Sequence, residues 1–332
     1  MAAQRQRRRL IVTSGPRQRR PDSTPSHGPD PYGNPDPEWL NVDWRKHLRT
    51  IELDTASFEP HPGSPIDPTR TRLNYVEMGS GEPLVLVHGL SGSWQNWLEN
   101  IPHFARERRV IAMDLPGFGG SPMPGWEITI GAYGKLVNEL CEALDTGPVD
   151  LVGNSMGGFI SAEVVVSQPT RARKLVLVSA AGVSHARMYK RPAETMARMA
   201  RAAAPLAFRY RERALRRPGL RRRALANLFY KPLELRQELI KEFLDPGIGA
   251  PGFVAALSAL SGYDILDRLE EVEIPALIVW GRNDYVVPPR DAYGFAERLR
   301  NSRVEIYDRC GHLAMAERPV RFNRELDEFL AE

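Results

Sequence analysis

Short apolar segments alternate with longer amphipathic segments from about residue 46 to the end of the chain. The apolar segments predict strands, and several are apolar throughout, which is typical of strands covered on both faces of a sheet. They are RLNYVEMG, PLVLVHG, RVIAMDLPG, VDLVGNS, KLVLVSAAG, PALIVWGRND and RVEIYDRCGH. Helices are predicted for WQNWLENIPHFARE, ITIGAYGKLVNELCEALD, MGGFISAEVVVSQP, PRDAYGFAERLR and RPVRFNRELDEFLAE. This alternation predicts an α/β fold, with a mostly parallel central sheet flanked by helices.

The alternation is interrupted between VSAAG and PALIVWG, where the chain has no clear strand and long helix-like stretches. A loop of that length without secondary structure would be unusual in a compact domain. We therefore expect residues 183–262 to form a helical cap over the carboxyl edge of the sheet. Residues 46–182 and 263–332 then form the core.

Residues 1–45 are rich in Pro, Arg, Gly and Asp, and this composition predicts a mostly disordered basic tail. Its apolar run, Leu10 to Val12, is too short for the core of a signal peptide. Elsewhere no run approaches the roughly 18 apolar residues of a membrane span. These features predict a cytoplasmic protein.

The chain has 332 residues, of which 42% are hydrophobic, and a formal net charge of +4. That hydrophobic content suffices for a large core. Its two cysteines, Cys141 and Cys310, are far apart and match no paired-cysteine motif. Neither a disulfide framework nor a bound metal is expected.

The sequence GNSMG places Ser155 between Gly153 and Gly157, directly after a predicted strand and before a predicted helix. One interpretation is a helix that begins at a serine cap. The other is a nucleophile on a sharp turn, where glycines permit the close approach of neighbouring backbone and the serine Oγ is exposed. The following helix would direct its first amides and its positive dipole end at an oxyanion.

A nucleophilic serine needs a base and an acid that orients the base. His312 follows the last predicted strand, which is the place of the base in the chain order Ser, acid, His. Asp284 directly follows the predicted strand in PALIVWGRND and could accept from the imidazole Nδ1. Asp291 competes with Asp284 but falls in a predicted helix. We interpret His88 as a structural histidine that orients its loop.

Five motifs, LVLVHGLSGSWQNW, VIAMDLPGFGGS, LVGNSMGG, PALIVWGRNDYVVP and IYDRCGHLAMAERP, resemble those of the α/β-hydrolase superfamily in the same order. The resemblance covers roughly residues 70–332. It implies that Ser155 is the nucleophile, Asp284 the acid and His312 the base. It also implies an oxyanion hole formed by the backbone N–H groups of Leu90 and Met156. No cofactor is implied.

The serine at the turn argues against the haloalkane dehalogenases and epoxide hydrolases of this superfamily, which use aspartate there. The turn is similar to that of the meta-cleavage C–C bond hydrolases, but those usually carry Trp after the catalytic His, where this chain has Leu313. We expect hydrolysis of a small-molecule ester through an acyl-enzyme. Alternatives are C–C bond hydrolysis, a cofactor-free haloperoxidase and a receptor-like protein with slow or no turnover.

Trp94 and Trp97 have the spacing of a core-facing helix, and the sharper hypothesis is that one of them lines an apolar acyl pocket. The predicted cap carries an arginine-rich stretch that fits either a solvated helix face or contact with an anionic partner. That partner would be a substrate with phosphate or CoA, or a membrane surface, which would make the protein peripheral at the membrane. The arginines are Arg209, Arg211, Arg213, Arg216, Arg217, Arg221, Arg222 and Arg223. They match no nucleic-acid-reading motif, so no nucleic acid is expected.

Overall fold

The computed structural model of the protein describes residues 30–184, 217–244 and 250–332, together with residues 199 and 202. These residues fold around an eight-stranded sheet. Its strands are β1 Leu48–Asp54, β2 Arg70–Met78, β3 Glu82–Val87, β4 Arg108–Met113, β5 Val149–Asn154, β6 Ala172–Val178, β7 Ala276–Gly281 and β8 Ser302–Tyr307. The order across the sheet is β1-β2-β4-β3-β5-β6-β7-β8. Only the β1–β2 and β2–β4 pairs are antiparallel, so the predicted α/β fold with a mostly parallel sheet is confirmed.

Helices cover both faces of this sheet. In the described part of the chain they are α1 Ile101–Phe104, α2 Ile130–Ala143, α3 Met156–Ser167, α4 Pro218–Leu225, α5 Gln237–Leu244, α6 Phe253–Leu260, α7 Arg290–Ala296, α8 Ala314–Glu317 and α9 Pro319–Ala331. Strand β3 shows why the central strands are continuously apolar. Leu84 and Leu86 pack into the core on one face, while Val85 and Val87 pack into the core on the other.

Two elements differ from the prediction. Strand β1 was not predicted, because it is an edge strand whose side chains are mostly exposed and which therefore lacks an apolar run. The predicted helix over WQNWLENIPHFARE is instead a 3-10 helix, Trp94–Trp97, followed by the single turn of α1. The backbone is held in that shape at Trp94, whose N–H donates to the buried Asp114 carboxylate at 2.7 Å.

The boundary of the predicted N-terminal tail is wrong, because residues 30–45 are part of the folded structure. Trp39 is 6% exposed and packs against the core, and its Nε1–H donates to Oε1 of Glu99 at 3.0 Å. The rest of the predicted tail, residues 1–29, lies outside the described residues.

The predicted cap is described in part. Helices α4, α5 and α6 fall within it, while residues 185–198, 200–201, 203–216 and 245–249 lie outside the described residues. The extent of the cap therefore stays a prediction. None of the helices described is both long enough and apolar enough to cross a membrane.

Candidate active site

Ser155 occupies the turn that joins β5 to α3, at the carboxyl edge of the sheet. Its backbone has φ 54° and ψ −119°, a conformation that costs a non-glycine residue about 1–3 kcal/mol. The surrounding backbone holds it there. The Ser155 N–H donates to the Val178 carbonyl at 2.9 Å, and the Ser155 carbonyl accepts from the Ala181 N–H at 2.9 Å. The geometry is that of a strained turn between strand and helix, rather than of a helix cap in which the serine side chain bonds the helix amides.

The two flanking glycines are required by close packing. A Cβ at Gly153 would overlap the carbonyl of Gly157, and a Cβ at Gly157 would overlap the carbonyl of Val87 in strand β3. The start of α3 is therefore pressed against the ends of β3 and β5. The sequence-based expectation that these glycines permit a close backbone approach is confirmed.

His312 and Asp284 form a buried pair. His312 Nδ1 lies 2.8 Å from Asp284 Oδ2, and both residues are at most 5% exposed. The other oxygen, Asp284 Oδ1, accepts the N–H groups of Val286 at 2.8 Å and Val287 at 2.9 Å, which fixes the carboxylate after β7. Because the carboxylate accepts from Nδ1–H, the imidazole Nε2 is left as a proton acceptor.

Asn154 links His312 to the serine turn. The Asn154 Nδ2 group donates to the Val178 carbonyl at 3.0 Å and to the His312 carbonyl at 3.4 Å. Since Asn154 directly precedes Ser155, this amide brings the histidine loop to the turn. Sequence reasoning missed it, because an asparagine at the end of a strand is otherwise unremarkable in the pattern.

Glu317 is a second residue that sequence reasoning missed. Its buried carboxylate accepts the Gly311 N–H at 2.9 Å and the Leu313 N–H at 3.4 Å, the amides on either side of His312. Burial raises the pKa of Glu317 to about 7. The His312 N–H itself donates to the Leu228 carbonyl at 2.8 Å. The backbone of the histidine loop is thus held residue by residue.

His88 has the structural role that its position predicted. Its Nδ1 donates to the Gly89 carbonyl at 2.7 Å, and its Nε2 accepts the Leu115 N–H at 2.9 Å. Complete burial lowers the pKa of His88 to about 4, so the ring is neutral at physiological pH. His88 therefore fixes the loop that follows β3.

That loop lies directly against the Ser155 turn. A Cβ on Gly89 would be 2.9 Å from the Cβ of Ser155. The next amide, Leu90 N–H, and the first amide of α3, Met156 N–H, donate no hydrogen bond to a protein acceptor within the described residues. Free amides beside a serine, one of them at the positive end of a helix, are the groups that stabilise an oxyanion.

Comparison with known proteins agrees with this geometry. A family described as having the alpha/beta hydrolase fold matches residues 82–319. The chain belongs to the α/β-hydrolase family. It is 32% identical to the 2-hydroxy-6-oxononadienedioate/2-hydroxy-6-oxononatrienedioate hydrolase of Burkholderia vietnamiensis, over 80% of this chain and 92% of that one. It is also 32% identical to the 2-hydroxy-6-oxo-2,4-heptadienoate hydrolase of Pseudomonas putida, over 78% of this chain and 92% of that one.

The fold is also that of solved hydrolases. An esterase from Thermogutta terrifontis superposes with a TM-score of 0.69 and 24% identity, over 85% of this chain and 98% of that one. The family match and the 32% identical relatives show that the protein is a hydrolase of this family.

The structure favours the core-packing interpretation of Trp94 and Trp97, and the acyl pocket stays a prediction. Trp97 is fully buried, Trp94 is 7% exposed, and both belong to the hydrophobic core that also contains side chains of α8 and α9. The ring of Trp94 packs at 4.9 Å from that of Trp44. Both tryptophans therefore pack in the core of this hydrolase, as their spacing also allowed.

Asp291, the alternative acid, does not contact His312. Its carboxylate is buried and accepts the Ser184 N–H at 2.9 Å and the Ser184 hydroxyl at 2.7 Å. It anchors the chain where residues after β6 leave the core. The geometry therefore distinguishes the two aspartates.

Part of the arginine-rich stretch is described. Arg217, Arg222 and Arg223 are exposed at the start of and along α4, while Arg221 is described only as part of that helix. Arg209, Arg211, Arg213 and Arg216 lie outside the described residues. Contact with an anionic membrane surface stays a prediction.

Proposed function

We propose that this protein is a serine hydrolase that cleaves carboxylic esters through an acyl-enzyme formed on Ser155. The observation that carries the proposal is the buried His312–Asp284 pair, 2.8 Å apart, on the loop that Asn154 ties to the strained Ser155 turn. A base oriented by an acid beside a partly exposed serine is the arrangement that nucleophilic catalysis requires.

In the first half of the reaction, Ser155 Oγ attacks the ester carbonyl carbon while His312 Nε2 accepts its proton. Asp284 stabilises the resulting imidazolium and holds it in position. The tetrahedral intermediate collapses, the bond to the alcohol breaks, and His312 gives its proton to the leaving alcohol. Water then attacks the acyl-enzyme by the same steps and releases the acid.

The oxyanion of both intermediates is expected to accept from Leu90 N–H and Met156 N–H. Removing one donor of this kind typically costs about 2.7–4 kcal/mol of transition-state stabilisation. His88 contributes indirectly, because it holds the Gly89 carbonyl and so fixes the amide that follows.

A second candidate is hydrolysis of a C–C bond in 2-hydroxy-6-oxo-dienoates. It is favoured by the relatives, which are named for such substrates and are aligned over most of their length. The same three side chains would act, with His312 moving protons. The residue after the histidine, Leu313, departs from the tryptophan usual in that group, which favours the ester reaction.

The test is steady-state turnover of p-nitrophenyl esters of graded acyl length and, separately, of a 2-hydroxy-6-oxo-dienoate followed by the loss of its visible absorbance. Ser155→Ala is the test variant. Ser167→Ala is the control, since Ser167 is exposed at the end of the same helix. We expect ester turnover that Ser155→Ala abolishes and Ser167→Ala retains.

Turnover of the dienoate alone would establish the second candidate. A single turnover that stalls would indicate a receptor-like protein. Ester turnover retained by Ser155→Ala would overturn the proposed mechanism.

A further inference from the structure

The first described residues of the chain lie against the loop that carries His312. The Gly33 N–H donates to the Glu317 carbonyl at 2.7 Å, and the Tyr32 hydroxyl donates to Glu317 Oε2 at 2.8 Å. The Arg318 guanidinium lies over the Tyr32 ring at 5.3 Å and donates to the Asp30 carbonyl at 3.0 Å. The segment of residues 30–33, which we call the N-terminal clasp, is therefore bound to the junction between helices α8 and α9.

The Tyr32 hydroxyl joins three parts of the chain. It donates to Glu317 and accepts the Lys231 N–H at 2.8 Å, while Glu317 Oε2 also accepts the Tyr230 N–H at 2.8 Å. Residues 230 and 231 lie shortly after α4, in the predicted cap. The clasp, the cap region and the histidine loop thus share one cluster of hydrogen bonds around the buried Glu317 carboxylate.

The two carboxylate oxygens of Glu317 accept different hydrogen bonds. Oε1 accepts the two amides that flank His312, and Oε2 accepts the tyrosine hydroxyl and the Tyr230 amide. A carboxylate can accept all these bonds only while it is ionised, because a protonated carboxyl turns one oxygen into a donor. A donor that stabilises the ionised form therefore also maintains the bonds to the His312 backbone.

We propose that Tyr32 is a positioning residue for the reaction: its hydroxyl, acting through Glu317, holds His312 where its imidazole meets both Asp284 and Ser155. The inference rests on the proposed role of His312 as the base. It gives the N-terminal clasp a part in catalysis beyond attachment to the fold, and no motif in the sequence indicates that part.

The electrostatics support this coupling. Burial raises the pKa of Glu317 to about 7, and the hydrogen bond from Tyr32 opposes that rise. Burial and the nearby Glu317 charge raise the pKa of Tyr32 well above its ordinary value, so the phenol remains a protonated donor. Other ionisable groups grouped around this cluster are Cys310, Arg318, Asp30 and Asp284.

The test variant is Tyr32→Phe, which removes the hydroxyl and keeps the ring beneath Arg318. The control is Tyr293→Phe, because Tyr293 is an exposed residue of α7 that takes no part in this cluster. We expect Tyr32→Phe to lower kcat by about 10-fold to 100-fold with KM little changed, as for a small misplacement of a catalytic group. The control should match the wild type.

The acid limb of the kcat profile is the readout that a merely structural role would not move. Without the hydroxyl, Glu317 protonates at higher pH and releases the amides that flank His312. The fall of kcat on the acid side of the pH profile should therefore begin at higher pH in Tyr32→Phe. If Tyr32→Phe does not fold, 3-fluorotyrosine at position 32 replaces it. This more acidic phenol should stabilise the carboxylate and shift the limb to lower pH. A wild-type kcat and an unmoved limb would overturn the proposal.

A measurement that needs no turnover separates this inference from the proposed function. The proton between His312 Nδ1 and Asp284 should give a low-field NMR resonance, assigned by its loss in Asp284→Ala. Its shift or broadening in Tyr32→Phe supports the positioning role even if no substrate is found. An identical resonance in wild type and Tyr32→Phe contradicts it.

Discussion

Two aspartates near the end of the sheet are distinguished by their hydrogen-bond partners. Asp284 contacts His312 Nδ1 and Asp291 contacts Ser184. Asp284→Asn should lower kcat by about 10⁴-fold, because an amide that donates to Nδ1 stabilises the wrong tautomer and prevents Nε2 from accepting a proton. The matched change Asp291→Asn should alter kcat only a few-fold. Equal losses in the two variants, measured by ester turnover, would refute the assignment of the acid.

His88 should make stability depend on pH. Its pKa is lowered from an ordinary value of about 6.5 to about 4, and this shift corresponds to about 3 kcal/mol in the free energy of unfolding. Because the unfolded chain binds the proton more readily, this contribution is complete above pH 6.5, is lost as pH falls towards 4, and changes no further below 4.

The measurement is the free energy of unfolding in urea between pH 7.5 and 4, for the wild type and for His88→Gln. The difference between them should shrink as pH falls. His103→Gln, at a partly exposed histidine, is the control. A constant difference across this range would mean that His88 is not held neutral by the fold.

At the residue scale, the parts of the candidate site that could be predicted are those whose residue type and position in the chain form a motif. Ser155, Asp284 and His312 each follow a predicted strand and stand in a recognisable order. Asn154, Asp114 and Glu317 have no such signature. Their roles come from hydrogen bonds between segments that are distant in sequence, and those distances exist only after folding.

Among the elements, the junction of β5 and α3 is packed closely against the end of β3. A methyl group at Gly157 would overlap the carbonyls of Val87 and His88. Gly157→Ala should therefore reduce the free energy of unfolding by about 1–3 kcal/mol or more, through overpacking and a backbone shift. Gly219→Ala is the control, because a Cβ at this exposed position in α4 meets open space.

We expect Gly219→Ala to be neutral or to stabilise the fold by roughly 0.5–1 kcal/mol. Denaturant unfolding of both variants tests the pair. A Gly157→Ala protein as stable as the wild type would show that the turn is looser than described.

Secondary-structure elements could be predicted where burial alone decides the sequence pattern. Strands β3 to β7 are buried on both faces, so their apolar runs predict them. Strand β1 is an exposed edge strand, and the region after Trp94 is held by the Asp114 carboxylate. In both, tertiary contacts outweigh the local pattern.

For the whole molecule, the main correction concerns the N-terminal region. Composition averaged over residues 1–45 predicts disorder, yet a few side chains suffice to fix residues 30–45 on the core. Trp39 is among them, and its indole packs beside buried aliphatic residues while it donates to Glu99. Average polarity does not reveal isolated aromatic anchors.

Trp39→Ala should therefore lower the free energy of unfolding by about 3–5 kcal/mol, the usual cost of truncating a buried tryptophan. Trp39→Phe is the comparison, since it keeps most of the apolar contact and should lose less. Calorimetric or urea unfolding gives both values. A change within 0.5 kcal/mol in Trp39→Ala, the range typical of surface substitutions, would mean that residues 30–45 do not contribute to the fold.

The most direct test of the central claim is the mass of the protein after rapid acid quenching during turnover of a p-nitrophenyl ester, with peptide mapping. We expect one acyl group per chain, located on Ser155, in the wild type and none in Ser155→Ala. An acyl group elsewhere, or steady turnover by Ser155→Ala, would contradict the assignment of Ser155 as the nucleophile.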